Sequence, residues 1–309
     1  MKILITGSEG VIGHPLCIAM TLAGHVVYRV DLAHQPDDEF FMRADVGDYR
    51  QIRRALMHFQ PEMVYHLAAE FGRLNGEDYY EQLWRSNVVG TKHILMLQRE
   101  MRFKMVFASS SEVYGESGLT DLREDMLEST PVRYYNDYAM TKRVNEWQIQ
   151  NAVEKDGLQV MILRFFNVYG PGEYYHKYRS VVCLFCYRAL NNLPVTVYRD
   201  YRRVFLYSED FIAGMVRTCN GFTAGQVFNL GGIEYRSVED LMSVVRNNVP
   251  DYPENLITWK SKESMNVANK RPVVERAVSQ FGWLPTTELE TGVPKTLEWM
   301  RTVYPKLRR

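Results

Sequence analysis

The chain has 309 residues, 46% hydrophobic and 24% charged, which suits one large or two modest domains whose core needs neither metals nor disulfides. Lys plus Arg and Asp plus Glu number 37 each, and this zero balance gives no electrostatic reason to bind nucleic acid or a membrane surface. After Met1-Lys2 the apolar run is only Ile3-Leu4-Ile5, and no run approaches the roughly 18 residues of a membrane helix, so a cytoplasmic protein is expected.

Lys2 to Thr6 predicts a short strand, followed by Gly7-Ser8-Glu9-Gly10-Val11-Ile12-Gly13 and an apolar helix from His14 to Ala23. Glycines at this spacing allow a tight turn and close approach of backbone to a pyrophosphate, and the helix N-terminus that follows favours phosphate. A strand before and a helix after make Gly7, Gly10, Val11, Ile12 and Gly13 a dinucleotide site. A second strand, His25 to Val30, ends at Asp31. A carboxylate there accepts both adenosine ribose hydroxyls and repels a 2′-phosphate, which favours NAD over NADP.

Phe40 to Arg43 predicts a third strand, ending in Ala44-Asp45-Val46, where Asp45 and Val46 would flank the adenine. A helix over Tyr49 to Phe59 leads to a fourth strand, Met63 to His66, and then to Leu67, Ala68, Ala69 and Glu70. Small residues at that strand end let a cofactor backbone pass. The steady alternation predicts the α/β class, a doubly wound parallel sheet with ligands at the carboxyl ends of its strands. Gly13, Asp31, Asp45, Ala69 and Ser110 all follow such ends.

Tyr79 to Arg99 predicts one long helix, in which Asn87 faces water or else meets the cofactor or a neighbouring loop. The strand Met105 to Ala108 runs out into Ser109, Ser110, Ser111 and Glu112. A second long helix, Asn136 to Lys155, carries Tyr138 and Lys142 one turn apart on one face. An ammonium beside a phenol favours phenolate, and a phenol so tuned takes a proton from a substrate hydroxyl near neutral pH. With Ser110 on the same substrate oxygen, these are the groups needed to oxidise an alcohol. The two long helices are also candidate dimer surfaces, or else simply cover the sheet.

Beyond the strand Val160 to Leu163, the break at Gly170-Pro171-Gly172 places a cofactor-binding part at 1–168 and a mainly substrate-binding part at 169–309, with segments near 204–230 returning to the first. Tyrosines and arginines thicken here, among them Tyr174, Tyr178, Arg179, Arg202 and Arg203, a mixture suited to a nucleotide diphosphate. The four cysteines form no secretory framework, and Cys183 and Cys186 fall in an apolar run, Val181 to Leu190, that predicts a buried helix and no metal site. Ser237 caps a helix through Asn248, and Phe281-Gly282-Trp283-Leu284-Pro285 precedes a last helix.

The glycine turn, Ala68-Ala69, Ser109-Ser110-Ser111-Glu112-Val113-Tyr114-Gly115, Tyr138 with Lys142, Arg164-Phe165-Phe166-Asn167-Val168-Tyr169-Gly170-Pro171 and Phe281 to Pro285 stand in one order. In that order they resemble the extended short-chain dehydrogenase/reductase family, the NAD-dependent nucleotide-sugar epimerases and dehydratases, over nearly the whole chain. The resemblance implies a Rossmann-like sheet with a smaller C-terminal α/β substrate domain, a tightly held and recycled NAD, a UDP-, dTDP-, GDP- or CDP-linked sugar as substrate, and a homodimer. It implies that Tyr138 removes the C4 hydroxyl proton, that Lys142 lowers the Tyr138 pKa and binds the nicotinamide ribose, and that Ser110 holds the C4 oxygen. Asn167 and Arg179 would meet the substrate's phosphates or sugar, and Arg203 its diphosphate.

Dehydratases of the family carry Asp-Glu where this chain has Ser111-Glu112, whereas nucleotide-glucuronate decarboxylases carry Ser-Glu after Ser or Thr. Decarboxylation is therefore preferred slightly over dehydration, with 4-epimerisation, a 3,5-type epimerisation and a non-catalytic NAD-binding regulator as alternatives. Glu112 acts as a base at C5, orients a carboxylate, or only bonds a loop. The segment Glu70 to Glu77 replaces the usual Ser or Asp-Pro substrate segment, which makes Glu70 and Arg73 candidate contacts to unusual hydroxyls. Arg199-Asp200-Tyr201-Arg202 replaces a glycine-rich loop, and Arg271-Pro272 lacks the Asp that often follows.

Overall fold

A computed structural model describes residues 1–34, 38–263 and 266–307. Seven strands, β1 (Lys2–Thr6), β2 (Val26–Asp31), β3 (Phe41–Arg43), β4 (Met63–His66), β5 (Lys104–Ser110), β6 (Val160–Phe165) and β7 (Val227–Leu230), pair in parallel in the order β3-β2-β1-β4-β5-β6-β7. Chain progression reverses between β1 and β4, so a crevice opens there at the carboxyl ends. Both faces of the sheet are covered, which is why Ile3 to Ile5, Met63 to Tyr65 and Met105 to Phe107 are unbroken buried apolar runs.

The longer helices are α1 (Gly13–Leu22), α2 (Tyr49–Phe59), α3 (Gly90–Met101), α4 (Asp137–Asp156), α5 (Val181–Leu190), α6 (Ser208–Asn220), α7 (Val238–Asn248) and α8 (Leu289–Leu307), of which α1, α2, α3, α4 and α6 cover this sheet. On one face of the sheet Ile52, Leu56, Ile94, Leu97 and Ile149 of α2, α3 and α4 form the core. On the other, Leu16 and Met20 of α1 meet Phe211 and Met215 of α6. Asn136 starts α4, its side chain accepting the Ala139 amide at 2.8 Å. Ser237 and Asp240 start α7 with a reciprocal capping box.

The single helix expected over Tyr79 to Arg99 is instead an α-turn Tyr80–Trp84, a π-turn Arg85–Val89 and then α3. The π-turn carries Asn87, whose side chain accepts the Glu70 amide at 2.9 Å and donates to the Glu70 carbonyl and the Thr141 hydroxyl at 3.1 Å each. Periodicity alone does not show such an insertion, which side-chain bonding at one position stabilises.

A second sheet of four short strands has the order Tyr235–Ser237, Arg202–Val204, Asn269–Pro272, Asp121–Leu122. Beside it, α5, α7 and α8 share a core built on Val182, Phe185, Cys186, Leu241, Val245 and Leu297. All four cysteines are free and buried, so the C-x-x-C pair of α5 is packing. The chain then returns: β7 joins the edge of the first sheet beside β6, and Trp283 locks onto α6 by donating from its indole N–H to the Asp210 carbonyl at 2.8 Å.

Candidate active site

The β1–α1 turn is packed to its limit. Gly7 has φ +72°, and a Cβ there would stand 2.8 Å from the Ala68 amide nitrogen. A Cβ on Gly13 would lie 2.0 Å from the Gly7 carbonyl oxygen. Among the described residues no side chain caps α1, so its positive end opens on the groove. At the β2 end, Asp31 accepts the amides of Glu9 and Ala33 at 3.0 and 3.1 Å. Asp45 accepts the Gly47 amide at 2.7 Å and pairs with Arg85 at 2.9 Å.

These groups share one cleft of about 530 Å³. Gly7, Gly10, Val11, Ile12 and Gly13 line it, as do Asp31, Asp45 and Val46, and then Leu67, Ala68, Ala69 and Glu70. Ser110, Tyr138 and Lys142 stand in the same cleft with Asn167 and Arg179. An acid at a strand end, an uncapped helix start behind glycine, and a Tyr–Lys pair match in order the ribose, pyrophosphate and nicotinamide of NAD, and the glycine contacts show why no side chain fills that groove. The residues present therefore fit this cofactor.

Lys142 is buried; its ammonium donates to the Ala108 carbonyl at 2.7 Å and lies 5.9 Å from the Tyr138 ring centre. Burial pulls the Lys142 pKa down to about 8, against the pull of Glu146. Burial also pushes the Tyr138 phenol up to about 12, with Glu112 adding to the rise and a hydrogen bond with Ser110 opposing it. The lowered phenol expected from the i, i+4 spacing is thus not present here. Both groups have lost water, and the ammonium is turned onto a backbone carbonyl.

Under this end of the cleft lies a sealed network that pattern reading missed. Arg164 of β6 donates to both Glu146 oxygens, at 2.9 and 2.8 Å. Ser109 donates to Glu146 at 2.7 Å and Arg143 does so at 3.1 Å. The other arm of Arg164 donates to the Tyr114 hydroxyl at 2.8 Å, which donates to Asn229 at 2.7 Å. Burial works against the Glu146 charge, yet Arg164 leads the groups that hold its carboxyl below the usual range. The usable signal was Arg164 itself: a charge inside an apolar strand requires a buried partner.

Five candidates stand outside the described lining of the cleft: Asn87, Ser111, Glu112, Arg73 and Arg203. Asn87 takes the neighbouring-loop alternative, clamping Glu70 to α4. Ser111 is buried at the start of a 3₁₀ turn, Ser111–Tyr114, that carries Glu112. Glu112 Oε1 lies 2.5 Å from the ammonium of Lys270, which the sequence reading did not single out. Arg73 pairs with Glu263 at 2.9 Å. Arg203 donates to the carbonyls of Arg202, Val267 and Ala268 and to the Asn266 side chain. In the cleft, the Glu70 carboxylate accepts from Asn75 at 2.9 Å, Asn167 donates to the Val204 carbonyl at 3.0 Å, and Arg179 stacks on Phe71 at 4.6 Å. Strand alternation was the signal for Lys270: it points inward at 2% exposure, while Arg271 points out to Asp121.

Residues 3–231 match the family model described as the NAD dependent epimerase/dehydratase family. The chain is similar to the UDP-glucuronic acid decarboxylase 1 of Xenopus tropicalis, 27% identical over 97% of this chain and 72% of the relative. It is similar to the UDP-glucose 4-epimerase of Mycolicibacterium smegmatis, 28% identical over 97% and 99%. Among solved structures it is similar to MoeE5 in complex with UDP-glucuronic acid and NAD, with a TM-score of 0.85 and 25% identity over 98% of this chain and 99% of that one.

Proposed function

The chain belongs to the NAD dependent epimerase/dehydratase family, and from that premise we propose that it oxidises C4 of a nucleotide-linked sugar to a 4-keto intermediate, which then loses carbon dioxide or water. One observation carries this reading: Tyr138, Lys142 and Ser110 share a single cleft with the glycine turn and Asp31. Bound NAD would supply a hydride acceptor and a positive charge that favours phenolate. Gly7 to Gly13 would hold its pyrophosphate and Asp31 its adenosine ribose, while Asp45, Val46, Leu67, Ala68 and Ala69 would line its path. Tyr138 accepts the C4 hydroxyl proton, Ser110 holds the C4 oxygen, and the charge of Lys142 steadies the phenolate.

Asn167 and Arg179 meet the substrate's phosphates or sugar, Arg203 its diphosphate, and Glu70 and Arg73 bound the sugar. Decarboxylation is favoured slightly over dehydration by Ser110-Ser111-Glu112 and by the decarboxylase relative. A 4-epimerase stands as the second reading, supported by the epimerase relative. Val89, Met96, Met140 and Trp147 are exposed on the two helical segments expected at a dimer surface, which supports a homodimer. Among the described residues no helix is long and apolar enough to cross a membrane; a cytoplasmic location remains part of this reading.

The test is to incubate the holoenzyme with UDP-, dTDP-, GDP- and CDP-sugars and weigh the products. Loss of 44 or 18 mass units, about one CO2 or one water, separates the first reading from an unchanged mass, which marks an epimerase. Tyr138→Phe should lower kcat about 10²–10⁴-fold with NAD still bound; full activity in that variant would remove Tyr138 from the mechanism.

A further inference from the structure

Glu112 sits two residues beyond Ser110, whose hydroxyl accepts its backbone amide at 3.2 Å. Its second oxygen is 3.4 Å from the Asn136 side-chain amide at the start of α4. Its first meets Lys270, which comes from the opposite half of the molecule on the strand Asn269–Pro272. Arg203 is the neighbour of Lys270 on the adjoining strand. Arg203 and Arg73 add positive charge near Glu112, and Tyr138 is the titratable group that Glu112 faces on α4. Burial resists ionisation of Glu112, but Lys270, Arg73 and Arg203 hold its carboxyl down at about 2. A carboxylate so stabilised is a weak proton acceptor.

Two reactions of a 4-keto sugar at C5 differ in what they need. In dehydration the C5 proton passes to a base, the C5–H electron pair becomes the C5–C6 double bond, and the C6 hydroxyl leaves, protonated, as water. In decarboxylation the C5–C6 bond breaks, its electron pair flows into the C4 carbonyl to give an enolate, CO2 departs, and C5 then takes a proton from water. Only the first needs a base at C5. We propose that Lys270 is a specificity-determining residue: by ion-pairing with Glu112 it withholds the base that dehydration requires, and it steers the 4-keto intermediate away from that outcome. This rests on the reading that a 4-keto sugar forms.

The experiment uses holoenzyme in D2O with UDP-glucose and dTDP-glucose, and reads deuterium at C5 by mass spectrometry. Native protein and Lys270→Arg should exchange C5 slowly, and Lys270→Met at least about tenfold faster. Adding Glu112→Gln to Lys270→Met should return exchange to the native rate. Lys270→Gln, which keeps a donor but not the charge, should give the same gain if Lys270→Met does not fold. Equal exchange in native protein and the Lys270 variants, or a gain that survives Glu112→Gln, overturns the proposal. A second readout needs no substrate: infrared titration of the Glu112 carboxylate, identified by difference from Glu112→Gln, should show it ionised through the usual carboxylate range and shifted upward in Lys270→Met. An unshifted band overturns the role of Lys270 with the 4-keto reading intact. Absence of any transient reduced-nicotinamide absorbance with every sugar nucleotide defeats that reading, and the proposal with it.

Discussion

Two carboxylates, Glu146 buried and Glu112 half-buried, flank the serine end of β5, and they are built in opposite ways. Glu146 is sealed: both oxygens are taken by Arg164, Arg143 and Ser109, and Arg164 is in turn fixed by Tyr114, whose hydroxyl donates to Asn229. Glu112 has one close cation, Lys270, with two arginines nearby and a side chain still 20% exposed. A completed network in low dielectric sets a shape and has no capacity left for a ligand. A carboxylate with surplus cations beside a cleft can trade partners when an anion arrives. Charge and cationic neighbours are common to both; completeness of pairing separates scaffold from candidate machinery.

The largest expected difference is in stability. Arg164→Met strands Glu146 without its main counter-charge and should cost about 3–5 kcal/mol in urea unfolding. Lys270→Met leaves Glu112 near Arg73, Arg203 and solvent, so its cost should stay near 1–2 kcal/mol; equal costs would erase the distinction. Next comes acid. Both carboxyls are depressed in the folded protein, so the stability they contribute is complete above their unfolded values and is lost as pH falls through the folded ones. For Glu112 that window runs from the ordinary 4.5 down to about 2. Glu112→Gln should flatten the urea midpoint across that window, whereas the native midpoint should fall. The smallest effect is in turnover. Lys142 keeps its charge below about 8, so kcat should decline as pH rises through that value, and Lys142→Arg should move the decline upward.

The legible parts of the site were local. The glycine turn, Asp31 and the Tyr138–Lys142 spacing each sit within a few residues, and the periodicity of α2, β4 and α7 marked those elements. What escaped is long-range or made by side chains. Glu112 and Lys270 are 158 residues apart, and no pattern in either neighbourhood names the other. The π-turn at Asn87 depends on a loop and a helix that meet it only in the fold. The direction of the Tyr138 pKa is set by how much water is excluded, which spacing does not report.

The return of β7 and α6 to the first sheet has a practical consequence. A fragment stopped at residue 168 would leave β6 with an unpaired edge and would strip Phe211 and Met215 from Leu16 and Met20. Bare edges recruit other chains. Such a fragment should therefore aggregate instead of surviving as an autonomous dinucleotide carrier, and any trimming or permutation of this chain must keep residues 208–230 in place.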